Sequence, residues 1–290
     1  MGKEPRLVAR HGWFLAYWLV SLLLFHGSLR GLAALSWRDE RYSHLILIPV
    51  ISLSLAWWER KRIFRRTGWN PRAGAALLAA GMVTYSGARL LPASVVQTGE
   101  ILGVVLVWVA GFVFCYGMLA LKAASFHAGF LLLMAPIPAG VVDKITYALQ
   151  KGSAEMTYVL FKLLGVPVFR QDFTFTLPNV AIEVARECSG IRSSNALFLT
   201  SVLAGYLFLR SGWRRLWLCL ATVPIAIFKN AVRIVTLSWL AIYVDRSFLY
   251  GELHHRWGSL FSLVALAILI PLLLQLQRPE KRDVRQEAGD

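Results

Sequence analysis

Residues 187–209 read ECSGIRSSNALFLTSVLAGYLFL, so a short polar stretch leads directly into a long apolar one. A bilayer core about 30 Å thick is crossed by about 20 helical residues, and residues 191–209 have about that length. Basic residues follow at once, at Arg210, Arg214 and Arg215. Because basic residues collect beside membrane spans on the cytoplasmic side, this stretch predicts a transmembrane helix whose polar start faces the other side.

The rest of the composition also indicates a membrane protein. The chain has 290 residues, of which 57% are hydrophobic, and several other apolar runs are long enough to span a bilayer. Its formal net charge of +15 would suit nucleic acid, but the basic residues are grouped in short stretches beside the apolar runs, as in a chain inserted in a lipid bilayer. We therefore predict an integral membrane protein with no nucleic-acid partner.

The predicted fold is an all-α polytopic bundle of about eight transmembrane helices, with residues 1–290 forming a single integral membrane domain. Each span is chosen for its apolar length and its flanking charges. The spans are residues 13–29, 44–58, 73–91, 100–121, 123–137, 191–209, 216–243 and 257–276. The first is expected to be a retained span rather than a cleaved signal peptide.

The basic segments between these spans set the expected orientation. With eight crossings they all fall on one side, which should be the cytoplasm. Both termini, including the tail at 277–290, are then cytoplasmic. The segments expected at the outer face are residues 30–43, 92–99, 138–190 and 244–256.

The outer segment 138–190 is long, and its pattern changes along its length. First, apolar residues at helical spacing are interrupted by Lys144, Lys151 and Lys162, which predicts an amphipathic helix at the membrane surface. Then DFTFTL and VAIEVA, separated by a Pro-Asn turn, alternate with a period of two and predict a short hairpin before Cys188. A purely structural cap over the bundle fits the same pattern.

Cys188 has the most distinctive chemistry of this segment. If a helix begins near Ser189, the thiol lies at a helix N-terminus, where unpaired N–H groups favour an anion such as a thiolate. Arg186 and Arg192 strengthen this effect, and Glu187 opposes it. The alternative is a helix-capping cluster that contains a cysteine by chance.

The other two cysteines, Cys115 and Cys219, lie in apolar runs, where a thiol usually acts as a small hydrophobic side chain. Three scattered cysteines form neither a disulfide framework nor a metal-binding pair. We predict no cofactor and no metal.

Two further polar groups belong to the late spans. Asn230 and Arg233, with Lys229 beside them, share one face of an otherwise apolar helix. A charge within the bilayer is costly, so an arginine there suggests function, although Arg233 could also extend to the lipid headgroups. His254 and His255 precede the last span, and a histidine can transfer protons near neutral pH. Each histidine alone would also fit a polar loop.

Together, a cysteine, an arginine and a histidine on one membrane face provide a nucleophile, a fixed charge for an oxyanion and a proton carrier. The motifs ECSGIRSS, NAVR and HHRWG, in this order and each at the outer end of a late span, resemble those of the exosortase and archaeosortase family. The N-terminal stretch RYSHLILIPVISLSLAWWERKR and the segment from APIP to VFRQ are also similar to that family. The resemblance extends from about Tyr42 to Leu274.

The resemblance implies a prokaryotic cysteine transpeptidase of the cell membrane, active at the outer face in exopolysaccharide-associated protein sorting. Members recognise secreted proteins by a C-terminal sorting signal, which is a short motif such as Pro-Glu-Pro, a transmembrane helix and a basic tail. Matched by motif, Cys188 is the nucleophile, Arg233 the catalytic arginine and His254, four residues before Gly258, the catalytic histidine. The supporting positions are Arg192, Ser193, Asn230 and His255. The acceptor nucleophile is not indicated.

A different class of protein fits the same charges. A polytopic transporter, or an assembly subunit of an export machine, would use Arg192 and Arg233 to bind an anionic substrate. Transporters often contain paired half-repeats with broken helices, and the sequence has no such pairing.

Overall fold

The computed structural model describes residues 4–177, 180–185, 189–244 and 260–287. The described chain is mostly helical. It divides into two compact units, Met1–Val141 and Val142–Asp290. That residues 1–290 form a single membrane domain stays a prediction.

The first unit consists of helices. The elements are α1 (Glu4–Leu24), α2 (His26–Arg38), a 3₁₀ turn (Glu40–Tyr42), α3 (Leu47–Trp58), α4 (Arg60–Ile63), α5 (Pro71–Ala88), α6 (Ala93–Ala123), α7 (Ser125–Leu131) and a second 3₁₀ turn (Leu132–Met134). Helix α5 packs against α6. Within α6 the backbone leaves the helical conformation at Gly117, whose φ of 82° suits glycine. There the N–H of Gly68 donates to the carbonyl oxygen of Tyr116 at 2.9 Å, so the chain before α5 packs against the break.

Every predicted span overlaps a helix, but some of these helices are shorter than a bilayer requires. Among the described residues, four helices are long and apolar enough to cross a membrane: Leu7–Leu24, Ala93–Ala123, Gly212–Tyr243 and Phe261–Arg278. A fifth span would be formed by Ser125–Met134 with Ala139–Leu163, a pair bent by 92°. Helix α3 has 12 residues and is only about 18 Å long. The helical membrane character is supported, whereas the count of eight spans is not confirmed.

The second unit combines helices with a small sheet. The elements are α8 (Ala139–Leu163), β1 (Phe169–Gln171), β2 (Thr174–Leu177), β3 (Val180–Glu183), α9 (Ile191–Phe208), α10 (Gly212–Tyr243) and α11 (Phe261–Glu287). Helix α8 is amphipathic, since residues such as Leu149 and Phe161 are buried while Lys144, Lys151 and Lys162 are exposed. The predicted helix is confirmed, and its location at the membrane surface stays a prediction.

The sheet is antiparallel in the order β1-β2-β3. Strands β2 and β3 pair with Thr174 opposite Glu183 and Leu177 opposite Val180, which confirms the predicted hairpin. Strand β1 is an addition, because its three residues show too little alternation for a sequence pattern. Between β1 and β2, Asp172 has a φ of 50°. Aspartate tolerates this left-handed conformation because its short polar side chain can bond locally.

Within the described residues of the second unit, two hydrophobic clusters hold the elements together. The first joins α8, the sheet and α10, through Ala154, Phe161, Phe175, Leu177, Val184, Ile234 and Val235. The second joins α9, α10 and α11, through Leu197, Leu209, Leu218, Ile225, Ala226, Ala265 and Leu269. Helix α10 contributes to both clusters, and between its two contact regions lie the polar residues Lys229 and Asn230. We call the surroundings of these two residues the junction.

Candidate functional site

Helix α9 begins directly after a glycine in a left-handed conformation. Gly190 is the N-cap, with φ 73° and ψ 17°. The hydroxyls of Ser193 and Ser194 each donate to the Gly190 carbonyl oxygen at 2.9 Å, and so does the Ser194 N–H. The helix therefore begins at Ile191, the first residue of the predicted span and two residues after Ser189, because Gly190 turns the chain before the first helical residue.

Gly190 also packs closely against α10. A Cβ at this position would lie 3.2 Å from Oδ1 of Asn230 and 3.6 Å from Nζ of Lys229. Both the positive φ and this close approach favour glycine. The turn before α9 therefore lies directly on the polar residues of α10.

Lys229 and Asn230 are almost completely buried, with 3% and 1% of their surfaces exposed. The Lys229 ammonium donates a hydrogen bond to the Ser193 hydroxyl. Nδ2 of Asn230 donates to the hydroxyl of Ser153, on α8, at 3.1 Å. Because buried polar and charged groups are costly without partners, these contacts fix α10 against both α8 and α9.

A second set of contacts fixes the chain at the end of β3. Val184 is buried, its N–H donates to the Phe173 carbonyl oxygen at 2.9 Å, and its own carbonyl oxygen accepts from Nε2 of Gln150 at 2.6 Å. Gln150 is buried on α8. Val184 is four residues before Cys188, and Gly190 is two residues after it. The chain is thus anchored on both sides of the cysteine.

Sequence reasoning did not single out Gln150 or Ser153, although a pattern for them exists. Thr146, Gln150, Ser153 and Thr157 recur at helical spacing on the buried side of α8. A polar stripe on the buried side of an amphipathic helix indicates polar partners. The contact of Lys229 with α9 joins residues 36 positions apart, so no local pattern predicts it.

The structure places four of the predicted site residues. Ser193 contacts Lys229 at the junction, and Asn230 is one of the two residues that define it. Arg233 lies one turn beyond Lys229 on α10 and is half-buried, whereas Arg192 is exposed on the first turn of α9. The other predicted site residues lie outside the described residues: Cys188, His254 and His255.

The surroundings of the junction carry positive charge. Lys229 and Arg233 are four residues apart on α10, and Arg192 is next to Ser193 on α9. The N–H groups at the start of α9 add a partial positive charge. Such a setting favours an anion, for example a thiolate or an oxyanion. In the part of the chain that the structure describes, no group of three His, Cys, Asp or Glu side chains could hold a metal ion.

The comparisons with known proteins identify a family. The sequence model of the transmembrane exosortase family matches residues 36–271, which is more than half of the chain and includes every predicted site residue. No curated protein and no solved structure matches the chain. The motifs around Cys188, Arg233 and His254 all fall within the matched range. The chain therefore belongs to the transmembrane exosortase family.

Proposed function

We propose that this protein is a membrane-embedded cysteine peptidase or transpeptidase that cleaves a C-terminal sorting signal from secreted proteins. The substrates would carry a short motif, a transmembrane helix and a basic tail, and the products would be transferred or released at the outer face of the cell membrane. The proposal rests on one observation, which is that the chain is anchored before Cys188 at Val184 and after it at Gly190. The chain's membership of the exosortase family gives this anchoring its meaning. A nucleophile needs such support, because small displacements of reacting atoms reduce the rate strongly.

The reaction would begin at the Cys188 thiol, whose proton passes to His254. The sulfur attacks the scissile carbonyl carbon, and Arg233 stabilises the oxyanion that forms. The C–N bond then breaks, His254 returns the proton to the leaving amine, and a thioester remains. An acceptor nucleophile or water attacks this thioester, and its proton restores the Cys188 thiol.

The supporting residues would act by position and charge. Asn230 is bonded to Ser153 and packs against Gly190, so it holds α10 against the turn that follows Cys188. Ser193 connects the first turn of α9 to α10. Arg192, which is exposed on the same turn, would add positive charge where an extended substrate arrives.

The membrane would contribute to the rate as well. A substrate that is still held by its own transmembrane helix shares the bilayer with the enzyme. Its motif then meets Cys188 by lateral movement in two dimensions, which removes part of the entropy lost in a bimolecular encounter.

The test is the release of a tagged reporter that ends in such a signal, co-expressed with the full-length protein in a host without an exosortase. The signals are taken from proteins encoded in the same genome as this protein, so that the reporter carries a motif that the protein can recognise. Cys188→Ala and Arg233→Ala should each reduce release by about a hundredfold or more at unchanged protein level. The matched controls Cys115→Ala and Cys219→Ala should leave release unchanged. Normal release by Cys188→Ala would overturn the proposal.

The same assay assigns the histidine. His254→Ala should abolish release, because only His254 is four residues before Gly258, and His255→Ala should retain it. The reverse result would move the proton carrier to His255.

A further inference from the structure

Lys229 is an unexpected residue for the middle of α10. This helix is apolar enough to cross a membrane, and the one lysine in its sequence is buried, with 3% of its surface exposed. A lysine in a span usually extends its ammonium to the membrane surface. Here the ammonium instead contacts the Ser193 hydroxyl inside the protein. The proposed reaction does not use this buried charge, so another role has to account for it.

The ammonium lies beside the turn that follows Cys188 in the chain. Gly190, which belongs to this turn, is two residues after Cys188. The Lys229 ammonium lies 3.6 Å from the position that a Cβ of Gly190 would occupy. A positive charge near a thiol in a poorly hydrated interior favours thiolate over thiol.

The contact with Ser193 has a structural effect of its own. The ammonium donates to the Ser193 hydroxyl, which in turn donates to the Gly190 carbonyl oxygen at 2.9 Å. This chain of hydrogen bonds holds the turn between Cys188 and α9.

The other charged groups around this turn come from several elements. Helix α10 contributes Arg233 and α9 contributes Arg192, and the sequence leading to the turn contains Glu183, Arg186 and Glu187. Helix α8 contributes polar but uncharged groups, since its charged residues are exposed: Asp143, Lys144, Lys151, Glu155 and Lys162. Helix α11 has no charged residue before Arg278. Among the described lysine, arginine, aspartate and glutamate residues, Lys229 alone is buried.

We propose that Lys229 is a positioning residue for the Cys188 nucleophile: its ammonium holds the turn before α9 and favours the thiolate of Cys188. The inference rests on the proposed function and deepens it. It adds a third basic side chain, buried in α10, to a site for which the sequence motifs indicate Arg233 and Arg192.

The test is the rate of alkylation of Cys188 by iodoacetamide as a function of pH, in the full-length protein carrying Cys115→Ala and Cys219→Ala. Lys229→Met keeps the length of the side chain and removes its charge. It should raise the pH of half-maximal alkylation by about one unit, which is about a tenfold loss of thiolate below that pH. Lys229→Arg should stay close to the parent protein. Lys151→Met, which removes an exposed lysine of α8, is the matched control and should not change the profile.

The profile is also measured with His254→Ala, because a histidine titrates in the same pH range. An unchanged midpoint in Lys229→Met would overturn the inference even if reporter release falls, since a purely structural role changes activity without changing the thiol pKa. If Lys229→Met does not accumulate, Lys229→Gln and Lys229→Arg give the same comparison, and equal midpoints overturn the inference. The proposed function itself is tested separately by the reporter assay. It fails if Cys188→Ala still releases the reporter.

Discussion

Gly190 links a backbone requirement to the position of the proposed nucleophile. Its φ of 73° lies in the left-handed region, and a Cβ at this position would lie only 3.2 Å from Oδ1 of Asn230. The conformation determines where α9 begins, and the close approach determines how that start lies on α10. Both properties act two residues after Cys188, so a change at Gly190 should affect the thiol directly.

Gly190→Ala is therefore expected to be costly. The left-handed conformation costs a residue with a Cβ about 1–2 kcal/mol, and the new methyl group would press on Oδ1 of Asn230. We expect a lower melting temperature in detergent and loss of reporter release. Gly140→Ala is the matched control, because a Cβ at Gly140 would have no atom within 4 Å. Equal melting temperatures for the two variants would contradict the assignment of Gly190.

At this scale the sequence predicts residue types better than their contacts. Ser193 is singled out by motif and Asn230 by helical spacing. Both belong to the group of polar contacts between α9 and α10 at the junction. The importance of Lys229 could not be predicted, because its partner is far away in the chain and a lysine in an apolar span is equally compatible with snorkelling. Gln150 belongs to the polar stripe of α8, which is visible in the sequence, but its partner could not be predicted, because the backbone carbonyl of Val184 has no residue type of its own.

At the scale of elements, α8 and the sheet form a support for the chain that leads to Cys188. Phe175, on β2, is fully buried, and its ring meets that of Phe161 edge to face at a centroid distance of 5.9 Å. The same cluster contains Val184, where the hairpin ends. Packing of the sheet on α8 therefore determines the position of the chain before the cysteine.

Phe175→Ala should remove this support. Truncation of a buried phenylalanine typically costs about 3–5 kcal/mol, because apolar contacts are lost and a cavity remains. We expect a large decrease in melting temperature in detergent. The control is Phe169→Ala on the neighbouring strand, whose side chain is 69% exposed and should matter little. Similar melting temperatures for Phe169→Ala and Phe175→Ala would show that the hairpin does not depend on packing against α8.

The elements themselves were predicted unevenly, for physical reasons. The helices follow from apolar length and periodicity, and the hairpin follows from alternation around a Pro-Asn turn, because both patterns are local. Strand β1 has three residues, and it pairs with β2 through a turn at Asp172 rather than at a glycine. Its existence depends on the neighbouring strand, which a short local pattern cannot reveal.

At the scale of the whole molecule, membership of the exosortase family and the long apolar helices agree on a membrane protein, but they leave the number of crossings open. Four predicted spans are not among the long apolar helices of the described residues: α3 and α5 lie before α6, and α7 and α9 after it. Helix α1 is long enough to cross the bilayer, whereas α2 has 13 residues and α3 has 12. If neither α3 nor α5 crosses, the basic stretch 59–72 and the segment 92–99 lie on the same side of the membrane. If both cross, these segments lie on opposite sides.

Alkaline phosphatase fusions decide between these arrangements, because the enzyme is active only outside the cytoplasm. The stretch 59–72, ERKRIFRRTGWNPR, contains six basic residues and one acidic residue, so the positive-inside rule places it in the cytoplasm. We expect fusions within 59–72 to be inactive and fusions within 92–99 to be active, which requires α3 and α5 to cross. Helix α3 would then cross with flanking residues or a locally thinned bilayer, because its own length is about 18 Å. Fusions after residue 278 should be inactive and serve as the cytoplasmic reference. Activity within 59–72 would contradict eight crossings and leave α1 and α6 as the spans of the first unit.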